Sequence, residues 1–402
     1  MSCAAGHHLA EARWLRDTTI GDEYTRFWFR SGEHGQSASH FHKFSSWIPS
    51  AIYDRYLVTG DQRICIELLD ALVRDDEAWV VERQLENGLF WQYDVKDGME
   101  ESISGGRHAK NARPTINSYM AANARAIAKI AELAGRSELA ESFLAKYHSR
   151  LSMLHEHLWD SDATFFAVRL EDGTFSNVRE AIGFLPWTFK LAQLNHVEAW
   201  RQLNDPQGFS APQGITTAER RHPKFRSHGI GTCEWDGAVW PFATSQTLIA
   251  LANVLRGPKQ NVVSRKDFLQ QLLIYSNSHE LDGRPYIGEY HDEVTGAWLI
   301  AGTKAERSRY YNHSTFGDLV IYGLVGLVPR PDNTIEIDPL LPADSDSWPW
   351  FCLDGIPYHG HSLTIMWDKT GQRYGGGPGL SLLIDGQEKK RVPTLEPMSV
   401  EF

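Results

Sequence analysis

The chain has 402 residues, 42% of them hydrophobic and 23% charged, a composition that fits a packed globule and excludes a disordered or low-complexity one. Its formal net charge of −11, with no dense Lys/Arg tract, argues against a nucleic-acid surface. Cys3, Cys65, Cys233 and Cys352 stand singly, which speaks against a disulfide framework or a zinc site.

The opening residues lack the apolar run of a secretory signal, and no stretch approaches the length of a membrane span. A soluble cytoplasmic protein without a membrane partner is therefore expected. Residues 1–36 read as irregular apart from an aromatic knot, Tyr24 to Arg30. From His40 a helical period begins, carried by Phe44, Trp47, Ile48, Ala51, Ile52 and Tyr56 and ending near Gly60. His40, Lys43 and Trp47 fall near one face of it and could form a binding edge. A histidine pair, His40 and His42, without an acidic partner does not point to a metal. Asp61 is placed to cap the next helix, through Ile64, Leu68, Leu72 and Trp79.

The segment from Asp97 to Gly135 organises the rest. It opens as a polar loop with Asp97, Glu100 and Glu101, passes Arg113-Pro114, and becomes a helix marked by Ile116, Met120, Asn123, Ile127, Ile130 and Leu133. Crowded carboxylates raise the pKa of at least one of them, and the helix behind fixes the loop, as a catalytic acid requires. A local salt-bridge network with Arg107, His108, Lys110 and Arg113 explains the same residues equally well.

The helix-Gly-helix form returns from Ser137 to Leu158, and again from Pro241 through Gly257 to Ser264 and beyond. Recurring helical hairpins imply an αα array or toroid rather than a βαβ fold. The loop-rich stretches 161–187 and 205–239 are long enough to suggest function. From about Val328 the pattern alternates, with strands at Thr334 to Asp338, Leu363 to Trp367 and Leu380 to Ile384, and Asp385-Gly386 as a hairpin turn.

A second acidic site, Gly288 to Glu293, brings Glu289 beside Tyr286 and Trp298. Read alone it is an exposed acidic turn. With the first loop it supplies the pair that glycosidic cleavage needs, one protonated acid and one carboxylate. Cys233 to Pro241 carries Trp235, Asp236 and Trp240, either a sugar platform or a hydrophobic staple with a capping acid. Tyr310 to Asp318, with His313, reads as pocket lining or as a helix cap. No GxSxG, P-loop or HExxH is present, so serine-hydrolase, nucleotide and zincin chemistries find no support.

Taken in order, DGMEESISG, RPTINSY, WDGAVWPFATSQTL, GEYHDEVTG and YNHSTFGDLVIYGLVGLVPR resemble the six-hairpin glycosidases, over roughly residues 40–330. Within that superfamily the chain is similar to the mannosylglycerate-hydrolase-like branch, in the neighbourhood of glycoside hydrolase family 142. The resemblance implies a mainly α protein: an (α/α)6 toroid over 37–327, after an N-terminal segment 1–36 and before a β-rich portion 328–402. It implies an inverting, exo-acting glycoside hydrolase that uses no metal and no cofactor. Glu100, with Asp97 as competitor, matches the general acid, and Glu289 the general base. Trp47, His42, Arg113, Asn117, Trp235, Asp236, Trp240 and His313 are assigned to the pocket for a small glycoside or oligosaccharide.

Two departures stand out. Trehalase-type relatives carry Asp where Glu100 stands; fewer than twelve clear helices can be counted and relatives often have a β domain ahead of the toroid, so the chain is expected to lack its first helix and that domain. The rival readings are a lyase, epimerase or cyclase on the same toroid, or a non-catalytic carbohydrate-binding relative. Oligomeric state is open.

Overall fold

The computed structural model describes residues 2–31, 37, 41–228, 233–299, 309–311, 313–343 and 348–402. Helices α1 (Ala5–Ala12) and α2 (Thr19–Arg30) form the first hairpin, and α3 (Ile48–Thr59) and α4 (Arg63–Arg83) the second. After the short α5 (Asp94–Asp97) come α6 (Pro114–Leu133) and α7 (Ser137–Leu158), then the short α8 (Leu185–Thr188) and α9 (Arg201–Asn204). The last hairpin is α10 (Pro241–Arg256) with α11 (Arg265–Asn277), and α12 (Phe316–Asp318) continues into a π-helical segment, Leu319–Val325.

Contacts between these elements close a ring: α1 packs on α3, α3 on α6, α6 on α8, α8 on α10, α10 on the π-helical segment, and α12 back on α1. Helices α2, α4, α7 and α11 pack against α1, α3, α6 and α10 as their hairpin partners. This is the (α/α)6 toroid. Burial explains which helix faces where. In α6 only Arg125, Lys129, Glu132 and Leu133 escape burial, as a helix within the wall requires, and its many alanines allow close neighbours. In α7 burial is confined to a stripe that includes Phe143, Leu154 and Leu158. Four inner helices open with a proline in their first turn (Pro49, Pro114, Pro186, Pro241), where its missing N–H costs nothing.

The segment 1–36, expected to be irregular, holds α1 and α2. The sequence hides α1 because its inward residues are mostly small. That smallness is also its function, since a Cβ on Gly6 would lie 2.3 Å from the Trp47 ring. In α2 the aromatic knot is split: Trp28 and Phe29 are turned inward, Tyr24 is half-buried and Phe27 is exposed. The count of clear helices fell short for these reasons and because α8, α9 and α12 are only four, four and three residues long. The helical period placed at His40 starts instead at Ile48, fixed by Pro49, with only a 3₁₀ turn at Phe41–Lys43; His40 itself lies outside the described residues.

Three two-residue ladders lie in the long loops: β1 (Trp159–Asp160) with β2 (Phe165–Phe166), β3 (Ser210–Ala211) with β4 (Gly214–Ile215), and β5 (Glu280–Leu281) with β6 (Arg284–Pro285). The C-terminal part forms two antiparallel sheets. One joins β7 (Leu327–Val328), β8 (Thr334–Ile337) and β13 (Met398–Glu401). The other orders β9 (Trp350–Tyr358), β10 (His361–Asp368), β11 (Gly379–Ile384) and β12 (Gln387–Val392) consecutively. Leu363, Ile365 and Trp367 on β10, and Leu380, Leu382 and Ile384 on β11, are buried at alternate positions. Asp385 and Gly386, both with positive φ, make the turn between β11 and β12. The sheets meet the toroid where the His359 N–H donates to the Val58 carbonyl at 2.9 Å. No helix among the described residues is long and apolar enough to cross a membrane.

Candidate active site

The loops that lead into α6, α10 and α12, with Cys3 just before α1, meet at one mouth of the ring. Between them lies a pocket of about 250 Å³, lined by Cys3, Gly98, Glu100, Cys233, Trp235, Trp240, Phe242, Glu289, Tyr311 and His313. Helix α5 ends at Gly98, whose φ of 74° is left-handed, and a side chain there would approach Cys3 Sγ to 3.2 Å. This turn reverses the chain, so that Asp97 points into the protein and Glu100 into the pocket.

Glu101 also adopts a left-handed φ, 70°, which is uncommon for a residue with a Cβ. Its carboxylate accepts hydrogen bonds from the amides of Cys233 at 2.8 Å and Glu234 at 3.3 Å, tying the acidic loop to the Trp-bearing segment. That segment is tied in turn to the Glu289 loop, because Val239 and His291 exchange both backbone hydrogen bonds at 3.0 Å. The three loops hold a column of rings. Trp235 stacks on Trp240 with centroids 4.4 Å apart, and Trp240 on Tyr290 at 4.6 Å and 10° between planes. The indole N–H groups of Trp235 and Trp240 are buried and have no acceptor among the described residues.

Burial pushes the Glu100 pKa up, and the carboxylates of Asp94 and Glu101 add to the rise while Arg107 opposes it. His313 is held down to about 4 by burial and by His8, so it stands in the pocket as a neutral imidazole. Tyr290 is raised as well, first by burial and then by Glu234 and its other acidic neighbours.

Of the residues assigned from sequence, Glu100, Glu289, Trp235, Trp240 and His313 come together here. Six others do not line this pocket. Asp97 is fully buried behind the loop, where Arg113 Nε donates to it at 2.6 Å and Ser45 Oγ at 2.5 Å. Arg113 is equally enclosed, so the pair anchors the loop to the start of α6 and reaches no ligand at this mouth. Asn117 clasps the backbone of Phe90, accepting from its N–H and donating to its carbonyl at 2.8 Å each. His42 has the acidic partners that its local sequence lacked, Asp75 at 2.5 Å and Glu82 at 3.2 Å. Burial disfavours its charged form, yet these carboxylates outweigh burial and raise its pKa. Asp236 accepts from the N–H and Nδ1 of His228 at 3.0 and 2.8 Å. Trp47 lies one layer deeper, edge-on to His7.

Sequence reasoning missed Cys3 and Phe242 as pocket lining, whereas Cys233 and Tyr311 lie in segments it read as a sugar platform or as pocket lining. Phe242 directly follows the WDGAVWP motif and so was within reach. Cys3 carried no signal at all.

A closed ring of inner helices with two carboxylates from separate loops at one mouth defines the (α/α)6 glycosidase class. The profile of the mannosylglycerate hydrolase MGH1-like glycoside hydrolase domain matches residues 1–314, and that of the glycosyl hydrolase family 65 C-terminal domain matches residues 330–390. The chain belongs to the MGH1-like glycoside hydrolase family. Among solved structures, one described as a sialidase is 48% identical with a TM-score of 0.96, over 99% of this chain and 36% of that one. The chain thus spans little more than a third of that protein. Two others share the fold. The GH63 mannosylglycerate hydrolase from Thermus thermophilus in complex with glucose is 14% identical with a TM-score of 0.58, over 80% of this chain and 91% of that one. The GH78 family rhamnosidase of Bacillus sp. GL1 is 15% identical with a TM-score of 0.65, over 95% of this chain and 37% of that one.

Proposed function

We propose that the protein hydrolyses the glycosidic bond of a terminal sugar, with inversion, in the pocket between Glu100 and Glu289. The observation that carries this reading is the meeting of those two carboxylates, from loops almost 190 residues apart in sequence, in one cavity with a Trp column. Glu100, whose pKa is raised by burial and by its acidic neighbours, donates its proton to the leaving oxygen. Glu289 takes a proton from the water that attacks the anomeric carbon from the opposite face, which requires the carboxylates to stand roughly 6.5–9.5 Å apart. The two unpartnered indole N–H groups suit sugar hydroxyls as acceptors, and the ring faces suit its C–H surface. The substrate is a small glycoside or an oligosaccharide, and the exo mode follows from the pocket's size, about 250 Å³. The chemistry requires neither metal nor cofactor.

The test is release of p-nitrophenol from a panel of arabinofuranosides, α-glucosides and α-mannosides, with NMR reading the anomer first released. Glu289→Gln is expected to lower turnover about 10²–10⁴-fold on every leaving group. Glu100→Gln is expected to lower it as much on alkyl glycosides and less on nitrophenyl ones, which leave without a full proton. Retention of configuration, or turnover indifferent to both substitutions, refutes the assignment.

A further inference from the structure

The ring of inner helices encloses a second chamber, of about 290 Å³, near the size at which small-molecule sites begin (about 300 Å³). Its walls come from α1, α3, α6 and α10, the turn after α8 and the last inner turns, and neither Glu100 nor Glu289 reaches it. His7 and Trp47 line it, and His7 rests on Phe242, a wall of the catalytic pocket, with ring centroids 4.2 Å apart. One layer of side chains therefore separates the two spaces.

The chamber is unlike an ordinary packing defect. His7 is fully buried, and neither of its ring nitrogens has a hydrogen-bond partner among the described residues, although a neutral imidazole carries one donor and one acceptor. Asp54 also lines the chamber; burial pushes its pKa up, against the opposing charges of Arg13, Arg125 and Lys190, and none of these donates a hydrogen bond to it. Arg13 is committed to Asp318, and Lys129 at the rim to Glu132 at 2.9 Å. Arg125 spends one N–H on the Phe189 carbonyl at 2.8 Å and keeps its charge. Against Asp54 there remain Arg125 and Lys190, which leaves the wall with one positive charge in excess. Its apolar faces are the rings of Trp47 and Phe189.

We propose that this axial chamber is a second ligand site, for a small hydroxylated monocarboxylate of monosaccharide size, that is, an aldonic or uronic acid. Arg125 and Lys190 receive the carboxylate. Asp54 hydrogen-bonds the hydroxyl groups, and the Trp47 and Phe189 rings face the C–H surface. The positive excess of the wall suits an anion, and its ring faces suit a hydroxylated carbon skeleton rather than a bare phosphate.

Titration calorimetry of the full chain with glucuronate, gluconate, glucose and inorganic phosphate tests this without any need for turnover, so failure of the glycosidase reading leaves it standing. Saturable binding of glucuronate or gluconate is expected, at least tenfold tighter than glucose or phosphate. It should persist in Glu100→Gln and Glu289→Gln. It should weaken about tenfold in Lys190→Gln and vanish in Lys190→Glu; Lys190 is exposed, so circular dichroism should stay that of wild type. Absence of binding to the folded wild type, equal affinity for glucose, preference for phosphate, or binding indifferent to Lys190 but lost in Glu289→Gln would overturn the proposal.

Discussion

Glu11 shows how the fold sets the ionisation of single residues. Its carboxylate, near the end of α1, accepts from the amides of Gly317 at 3.1 Å and Asp318 at 3.0 Å, yet burial outweighs these bonds and lifts its pKa to about 7. A carboxyl with a raised folded pKa gives stability that is full below its unfolded value, ordinarily 4.5, and lost as pH rises through about 7. Wild type should therefore lose on the order of 2–3 kcal/mol relative to Glu11→Gln between pH 4 and pH 8, measured by urea unfolding at each pH. An unchanged difference would mean that Glu11 is not buried as charge. Glu100 gives the catalytic counterpart. Because its raised pKa must be passed for the acid to be lost, kcat/KM should fall on the alkaline side as pH climbs through it. Glu101→Gln removes one of the like charges that raise it, so that limb should shift to lower pH. A shift upward would deny the coupling.

At the scale of elements, the loops of the candidate site are held by a buried ion pair behind them. Asp97 and Arg113 join α5 to α6 beneath the acidic loop, both fully buried. Removing one partner of such a pair leaves the other charge uncompensated, at a cost of about 3–5 kcal/mol. Asp97→Asn should thus lower the urea midpoint strongly while the folded fraction keeps turning over, whereas Glu100→Gln should keep the midpoint and lose turnover. The opposite pattern would make Asp97 the acid. The sequence named both carboxylates because their spacing is visible. It could not say which faced the pocket, since that depends on the left-handed turn at Gly98 and on Arg113, sixteen positions away. His42 was legible as a polar residue near Trp47, but its carboxylates come from α4, more than thirty positions on.

The whole molecule is closed by its two ends. Arg13 and Trp14, just past α1, meet Asp318 in α12, and Trp14 Nε1 donates to it at 2.8 Å. Glu11 holds the first amides of α12 from the other side. The first and last inner helices, some 300 residues apart, thus share one polar clasp. Asp318→Asn should loosen both together, so hydrogen exchange would quicken in Ala5–Ala12 and in the Phe316–Val325 turns while α6 stays protected. Faster exchange at only one end would argue against a shared clasp.

Periodicity and punctuation alone determined three of the helical hairpins and the β-rich end, and the motif resemblance singled out the loops carrying Glu100, Glu289, Trp235 and Trp240. Those signals are local: prolines at helix starts, glycines at their ends, apolar steps of three and four. Tertiary structure alone decided that α1 exists as a wall of the ring, since its small residues make no apolar stripe and their value appears only against Trp47. It alone decided the separation of the candidate pocket from the axial chamber, and the placement of Asp97, Arg113, Asn117 and His42 outside the pocket lining. The physical reason is the same in each case: a charge or hydrogen-bonding group takes its role from the partner that folding brings to it, and those partners are distant in the chain.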